Sequence, residues 1–259
     1  MTVYTDKQQR EVFHLLFLER LMKISDPNMY VLKGGVNLRF FFRSPRYSED
    51  MDIDVFGGSV ATLKKNGYKI LQDPSLIRNL QTYGITDLKI NDPLKAKHTE
   101  TTQRFRFRLV NNSGEEFPTK VEFSRRNKNS NLDILTEAIN PEIIFPYKKL
   151  SFQTRHYGAA TAVAQKIHAL GGRSEVQSRD VFDLYVFYLS GNLNKDAITR
   201  NTTMEEREKA LSSLLMLDYS DYKGQVIEYL EEETKNQLGN KKAWDDICNT
   251  VIGYLDESD

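Results

Sequence analysis

Apolar side chains at Phe13, Leu16, Phe17, Leu21 and Ile24 recur at helical spacing, which predicts an amphipathic helix over 7–24. Thr5 and Gln8 have the spacing of a capping box at its start, and Asp26-Pro27-Asn28 ends it. The period then shortens. MYVLK (29–33) predicts a strand, Gly34-Gly35 a sharp turn, VNLRFFF (36–42) a short helix and DMDIDVF (50–56) a second strand. SLIRNLQTYG (75–84) predicts a helix, and ITDLKIN (85–91), TQRFRFRLV (102–110) and FPTKVEFSRR (117–126) predict strands. Asn111-Asn112-Ser113-Gly114 joins the last two as a hairpin. No strand is predicted after that. Helices follow at 157–170, 179–190, 203–217, 221–236 and 241–255. A mixed stretch followed by an all-helical one implies an α+β chain of two segregated units, divided here as 1–152 and 153–259.

Composition changes this picture in one respect. Hydrophobic residues at 39% and aromatics at 11% exclude general disorder. The formal charge is zero, but it is unevenly laid out: residues 1–150 hold 24 basic and 18 acidic side chains, residues 151–259 hold 12 and 18. A net of +6 followed by −6 leaves room for a polyanionic partner of the first half that the total conceals. A lone cysteine, Cys248, fits a reducing compartment. The N-terminus lacks the apolar core of a signal peptide, and no stretch approaches membrane-spanning length, so a cytoplasmic protein without a membrane partner is expected.

Three patterns in the first half carry chemistry. On a strand, Asp52 and Asp54 project to one face while Met51, Ile53 and Val55 project to the other. Carboxylates held so close repel unless a cation lies between them, and hard ions such as Mg²⁺ favour oxygen ligands. An isolated Asp-x-Asp is more often a solvent-facing pair. Gly34-Gly35 stands 17 residues before Asp52 at a strand-to-helix turn, where free N–H groups can meet a phosphate. In the hairpin, Arg104, Arg106 and Arg108 alternate with Phe105, Phe107 and Leu109, so one face is cationic. These arginines are either a solvated face or a track for phosphates. Glu122 shares a face with Lys120 and Ser124, and is either a third metal carboxylate or the ion-pair partner of an arginine. Together they make the equipment for two-metal nucleotidyl transfer.

The second half contains RDVFDLYVFYL (179–189), apolar nearly all round and therefore buried, yet carrying Asp180 and Asp183. Buried carboxylates need cationic partners, and Lys166, Arg173 and Arg179 are near in sequence.

VLKGGVNLRFFF with RYSEDMDIDV resembles the signature of nucleotidyltransferases with the polymerase-β-like fold. AAT…AQKIHALGGRSEVQSRDVFDLYVF resembles the second signature of the abortive-infection AbiEii toxin family, which includes the MenT toxins. The resemblance implies a catalytic domain with a mixed sheet, a helical bundle after it, and transfer of a nucleoside monophosphate from an NTP with Mg²⁺. It implies a toxin of a toxin–antitoxin system acting on an RNA such as the tRNA 3′ end, with a cognate antitoxin as a partner. Carried onto this chain, Gly34, Gly35 and Ser48 handle phosphates, and Asp52 and Asp54 bind metal with Glu122 as third ligand. Lys166 contacts the triphosphate, Asp183 is the essential acid supported by Arg179 and Asp180, and Arg173 counts with the nucleotide-binding residues. The family commonly has a hydroxyl residue after the glycines, where this chain has Val36-Asn37; that contact then falls to Asn37 or Ser48. Residues 190–259 match no motif. Two other readings stand beside this one: the same chemistry on a small-molecule or protein acceptor, and a nucleotide-binding module without catalysis.

Overall fold

The computed structural model describes residues 3–93, 96, 98–127 and 132–256. Its elements are, in chain order, α1 (Asp6–Ile24), β1 (Tyr30–Lys33), α2 (Gly34–Phe41), β2 (Met51–Val55), α3 (Val60–Leu71), α4 (Pro74–Gln81), β3 (Ile85–Ile90), β4 (Thr102–Asn111), β5 (Glu116–Arg125) and β6 (Ile134–Ala138). There follow α5 (Pro141–Ile144), β7 (Gln153–Tyr157), α6 (Ala159–Gly172), α7 (Ser178–Leu189), α8 (Lys195–Asn201), α9 (Met204–Leu214), α10 (Tyr219–Gln225), α11 (Glu232–Leu238) and α12 (Lys241–Leu255). The chain divides into two compact units: residues 1–40 with 47–156, and residues 41–46 with 157–259. Residues 41–46, which the linear division at 152/153 puts in the first unit, pack with the helices instead.

The first unit is built on a mixed seven-stranded sheet in the order β3-β4-β5-β2-β1-β7-β6. The hairpin β4/β5 and the pair β1/β2 are antiparallel, while β2/β5 and β1/β7 are parallel. One face of the sheet is apolar. Met51, Ile53, Val55, Phe105, Val121 and Phe123 are all fully buried. Phe13 and Phe17 of α1 pack on it, at 4.8 Å from Phe107 and 6.4 Å from Phe123 between ring centres. A one-residue slip of any of these strands would turn its apolar set to water, so the polar face is fixed in register.

The helix read as amphipathic is instead buried over most of its length, Gln9 to Leu18 included. Three of its polar residues, Gln9, Arg10 and Glu11, are core residues with partners. Glu11 accepts from Arg39 Nε at 2.5 Å and Tyr147 Oη at 2.7 Å, and Gln9 donates to the Tyr83 carbonyl at 3.0 Å. Satisfied hydrogen bonds remove the usual cost of burying such groups.

Other boundaries also differ from the sequence pattern. The helix after β1 begins at Gly34 rather than Val36, and β6 and β7 extend a sheet that the pattern ends at 126. β6 shows no alternation because nearly all of it is exposed. In the helical unit, the single helix predicted over 221–236 is two short ones separated by a 3-10 turn, Ile227–Tyr229. The break has a partner. Glu231 N–H donates to the Pro45 carbonyl at 3.1 Å, and Leu230 bridges to Arg46. The backbone leaves the helix to bind the 41–46 segment. That segment also places Phe42 edge-on against Phe187 at 4.9 Å. In α7, Val181, Phe182, Leu184 and Phe187 are fully buried, as the all-round apolar pattern requires. Among the described residues, no helix is long and apolar enough to cross a membrane.

Candidate active site

The polar face of the sheet gathers the carboxylates. Asp52 lies opposite Glu122 across the parallel pair β2/β5, and Asp54 lies opposite Ser124. Glu122 in turn faces Arg104 across β4/β5. Three strands thus bring Asp52, Asp54, Glu122 and Arg104 onto one surface, as alternation along each strand dictates.

Their electrostatic surroundings differ. Arg104 Nε donates to Glu122 Oε2 at 2.6 Å, so Glu122 does have the arginine partner foreseen as its alternative role. Asp54 is buried and held by two cations, Lys33 Nζ at 2.5 Å and Arg126 Nε at 3.3 Å. Asp52 is half-buried and, among the described residues, has no cation at ion-pair distance. Burial pushes its carboxyl above the ordinary 3.8, with Glu122 and Asp50 adding to the rise while Lys120 and Lys33 oppose it. A desolvated carboxylate facing a second carboxylate is an arrangement that a divalent cation relieves. The donors are all oxygens, which suits Mg²⁺. Among the described residues, no group of three or more acidic, histidine or cysteine side chains stands close enough to make a finished metal cage.

The glycine turn meets this surface directly. Gly34 has φ +68°, in the left-handed region where a side chain is strained, and a Cβ there would lie 3.3 Å from Asp52 Oδ2. The backbone at the start of α2 therefore abuts the Asp52 carboxylate, and Gly35 follows in the first turn of the helix. Two expected phosphate contacts are placed elsewhere. Asn37 is fully buried, and its Oδ1 lies 2.9 Å from His156 Nδ1. It is a core residue, because one helical step past Gly34-Gly35 turns it inward with Val36. Ser48 is half-buried and its hydroxyl donates to the Asp50 carbonyl at 2.9 Å, bracing the loop that enters β2.

The helical unit holds a second, closed ion cluster. Asp180 and Asp183 of α7 are fully buried. Lys166 of α6 reaches both, at 3.0 Å to Asp180 Oδ1 and 2.5 Å to Asp183 Oδ2. Arg46 forks onto Asp183 through Nη2 at 2.9 and 3.1 Å. Arg173 Nε is 3.1 Å from Asp180 Oδ2, an ion pair too bent to count as a hydrogen bond. Burial alone would lower the Lys166 ammonium, but Asp183 and Asp180 outweigh it and hold it above its ordinary value. Burial alone would raise Asp183, but Arg46 and Lys166 outweigh it and hold it below the carboxylate range. Among the described residues Lys166, Arg46 and Arg173 surround the two carboxylates, and Arg173, 38% exposed, is the member that reaches water. Arg179 is half-buried on α7, and it is Arg173 rather than Arg179 that pairs with Asp180.

Four cations of these two clusters were not singled out from the sequence: Lys33, Lys120 and Arg126 on the sheet, and Arg46 in the loop. A signal existed for Arg46, since two buried aspartates demand more positive charge than Lys166 alone. Lys33 immediately precedes the glycine pair, which could have marked it. The three arginines of β4 fare differently from one another. Arg104 pairs with Glu122, Arg108 lies 3.6 Å from Glu116, and Arg106 has no ion pair among the described residues.

The family model described as "Nucleotidyl transferase AbiEii toxin, Type IV TA system" matches residues 16–257. No curated protein matches the chain. Among solved structures, JHP933 from Helicobacter pylori aligns over 98% of this chain and 93% of its own, at 18% identity and a TM-score of 0.57. MenT4, the nucleotidyltransferase toxin Rv2826c from Mycobacterium tuberculosis H37Rv, aligns over 97% of this chain and 84% of its own, at 17% identity and a TM-score of 0.59. At such identities these likenesses carry the fold, and the α+β architecture with a mixed sheet agrees with it.

Proposed function

The chain belongs to the AbiEii nucleotidyl transferase toxin family, and from that premise we propose that it transfers a nucleoside monophosphate from an NTP, with Mg²⁺, to an RNA acceptor such as the tRNA 3′ end. The observation that carries this reading is the single polar surface holding Asp52, Asp54 and Glu122, with the Gly34 backbone against Asp52.

Transfer forms a bond between an acceptor hydroxyl oxygen and the NTP α-phosphorus, and breaks the α–β phosphoanhydride. Pyrophosphate departs and the hydroxyl proton goes to solvent. In this reading Asp52 and Asp54, with Glu122, hold the metal, which supplies positive charge at the phosphates and lowers the pKa of the acceptor hydroxyl. The N–H groups of Gly34 and Gly35, at the positive end of α2, receive phosphate oxygens. Lys33 and Arg126 hold the buried Asp54 carboxylate in place before substrate arrives. In the helical unit, Lys166 and Arg46 fix Asp183, and Arg173 is the exposed cation of that cluster. The electropositive first half, net +6 over 1–150, is the side that receives the nucleic acid. The toxin reading makes a cognate antitoxin the cellular counterpart of this activity.

The test is direct. Purified protein, each labelled NTP in turn, total tRNA and Mg²⁺ are expected to give labelled tRNA, and Asp52→Asn to give none. Induced expression of the wild type is expected to arrest growth, and Asp52→Asn to restore it. Absence of label in any RNA with the active protein would overturn the acceptor assignment.

A further inference from the structure

Two neighbouring cross-strand pairs of the sheet break the rule that directly opposed charges should differ in sign. Lys89 faces Arg108 across β3/β4, and Arg106 faces Lys120 across β4/β5. Like charges in such positions destabilise an antiparallel ladder. The next pair, Arg104 and Glu122, obeys the rule. The frustrated cations do not escape by slipping register, since Phe105, Phe107 and Leu109 anchor β4 in the core. Nor do their ion pairs relieve them all. Lys89 and Arg108 share the carboxylate of Glu116, Lys120 takes Asp50 at 3.0 Å, and Arg106 has no partner among the described residues. Lysine on an edge strand is a common guard against aggregation, which could account for Lys89 on β3. It cannot account for Arg106, because β4 is an interior strand.

Lys89, Arg106 and Arg108 line a depression of about 610 Å³, with Asn91, Asp92 and Arg104 also around it; Lys120 is not in its lining and stands opposite Arg106 on the neighbouring strand β5. That is within the range of pockets that bind small ligands and ample for one nucleotide. Alternate residues on a strand stand about 6.8 Å apart, so the pairs Arg106/Lys120 and Lys89/Arg108 make two successive cationic steps along β4, at the pace of an extended sugar–phosphate chain. They share the polar face with Asp52, and β4 is two strands from β2, about 10 Å.

We infer that this depression is the seat for the acceptor strand just upstream of its reacting hydroxyl: single-stranded RNA, with one phosphodiester on Arg106 where the depression gives way to Lys120 of β5, the next between Lys89 and Arg108, and Asn91 beside the intervening base. The anion resolves the like-charge pairs, so the site is destabilised when empty and relaxed when filled. Sequence rules broken locally in this way mark functional positions. The inference rests on RNA as the acceptor and adds where it is gripped, and that it is gripped as a single strand.

The experiment uses the full chain and a 5′-fluorescein octaribonucleotide ending in a 3′-deoxynucleotide, which binds without reacting. Its affinity by anisotropy is expected to fall at least tenfold in Arg106→Glu and in Lys89→Glu, with binding of a fluorescent NTP and Mg²⁺ unchanged. The logarithm of the affinity should fall against the logarithm of salt with a slope of roughly −1.4 for two phosphates on a single strand, and flatten by about half in either variant. Arg106→Gln should raise Tm by roughly 1–2 °C, because it removes the repulsion of Lys120, while still weakening RNA binding. A merely solvated arginine would show no such opposition. The inference is overturned if Arg106→Glu, folded by circular dichroism, binds the oligonucleotide within twofold of wild type, if a blunt duplex binds equally well, or if polyglutamate competes as effectively as RNA. Labelled transfer to tRNA that is indifferent to Arg106→Glu sinks the seat but leaves the RNA acceptor standing. Oligonucleotide binding that requires Arg106, with no transfer to any RNA, keeps the seat and removes the reaction.

Discussion

The two charged clusters are built from the same residue types and answer to different physics. On the sheet, Asp54 is held by Lys33 and Arg126, whose side chains are 17% and 54% exposed, and Asp52 has no ion pair among the described residues. In the helical unit, Asp180 and Asp183 are fully buried and every described neighbour is committed: Lys166 to both, Arg46 to one, Arg173 to the other. The first arrangement is open to exchange of partners, as the proposed substrate surface requires. The second is closed, and closure makes it a determinant of folding. Breaking a desolvated ion pair leaves an uncompensated buried charge, whereas exposed pairs contribute little.

The largest expected effect therefore lies away from the carboxylates proposed to hold metal. Asp183→Ala leaves Lys166 and the Arg46 fork facing each other in the interior, and should cost about 3–5 kcal/mol of stability. Chemical denaturation would read this as a large fall in midpoint at similar slope. Asp52→Asn should do the reverse: abolish transfer, by about a thousandfold or more for loss of an essential electrostatic group, with no loss of Tm. Equal destabilisation by the two substitutions would erase the difference between the clusters.

Their pH dependences should also run in opposite senses, measured in metal-free protein. The Asp183 carboxyl is held below its ordinary 3.8 in the fold. Its contribution is present above 3.8 and is lost as pH falls through the native value. The Asp52 carboxyl is raised above 3.8 in the fold. Ionising it costs stability, so the fold loses as pH rises through that raised value and gains nothing from Asp52 above it. Asp52→Asn should accordingly be more stable than wild type at neutral pH, and the difference should close as pH falls towards 3.8. A gap that widens on acidification would reverse the sign assigned to Asp52.

Much of the sheet surface was legible because strands read out in twos. Asp52 and Asp54 share a face, as do the three arginines and Glu122, by alternation alone, and the hairpin followed from the turn cluster. What alternation cannot supply is the identity of a partner across the chain. Lys33, Arg126 and Arg46 acquire meaning only from ladders and loops that close later. The same gap misled at Asn37, polar in sequence and next to the glycines, but turned into the core onto His156. It also misled along α1, where Gln9, Arg10 and Glu11 look solvent-facing and are buried with partners contributed by distant elements. Polar residues report exposure only when nothing else in the fold can satisfy them.

Gly34→Ala tests how tightly the glycine turn is coupled to the open cluster. A φ of +68° strains any L side chain by about 1–2 kcal/mol, and the new methyl would stand 3.3 Å from Asp52 Oδ2. The expected result is a modest fall in Tm with a fall in transfer of about tenfold, larger than the stability loss explains, because the displaced group is Asp52. A matching loss at Gly114, where φ is +82° but a Cβ would meet nothing within 4 Å, would reduce the effect to backbone strain alone.

The sharpest test of the comparison belongs to Lys33. Its ammonium occupies an oxygen of Asp54 at 2.5 Å, a position that a metal ion needs if Asp54 is to be a ligand. Lys33→Met keeps the length of the side chain and leaves Arg126 on Asp54, so it should cost less stability than Asp183→Ala. Removing a competing cation should tighten binding of Mn²⁺, titrated calorimetrically in the absence of nucleotide, by several-fold. No such exchange is open to the closed cluster. The equivalent replacement there, Lys166→Met, uncovers two buried carboxylates and should unfold the protein before any metal is bound. If Lys33→Met proves as destabilising as Lys166→Met, or leaves Mn²⁺ affinity unchanged, Asp54 belongs with the closed cluster, and the sheet surface is less open than its exposure suggests.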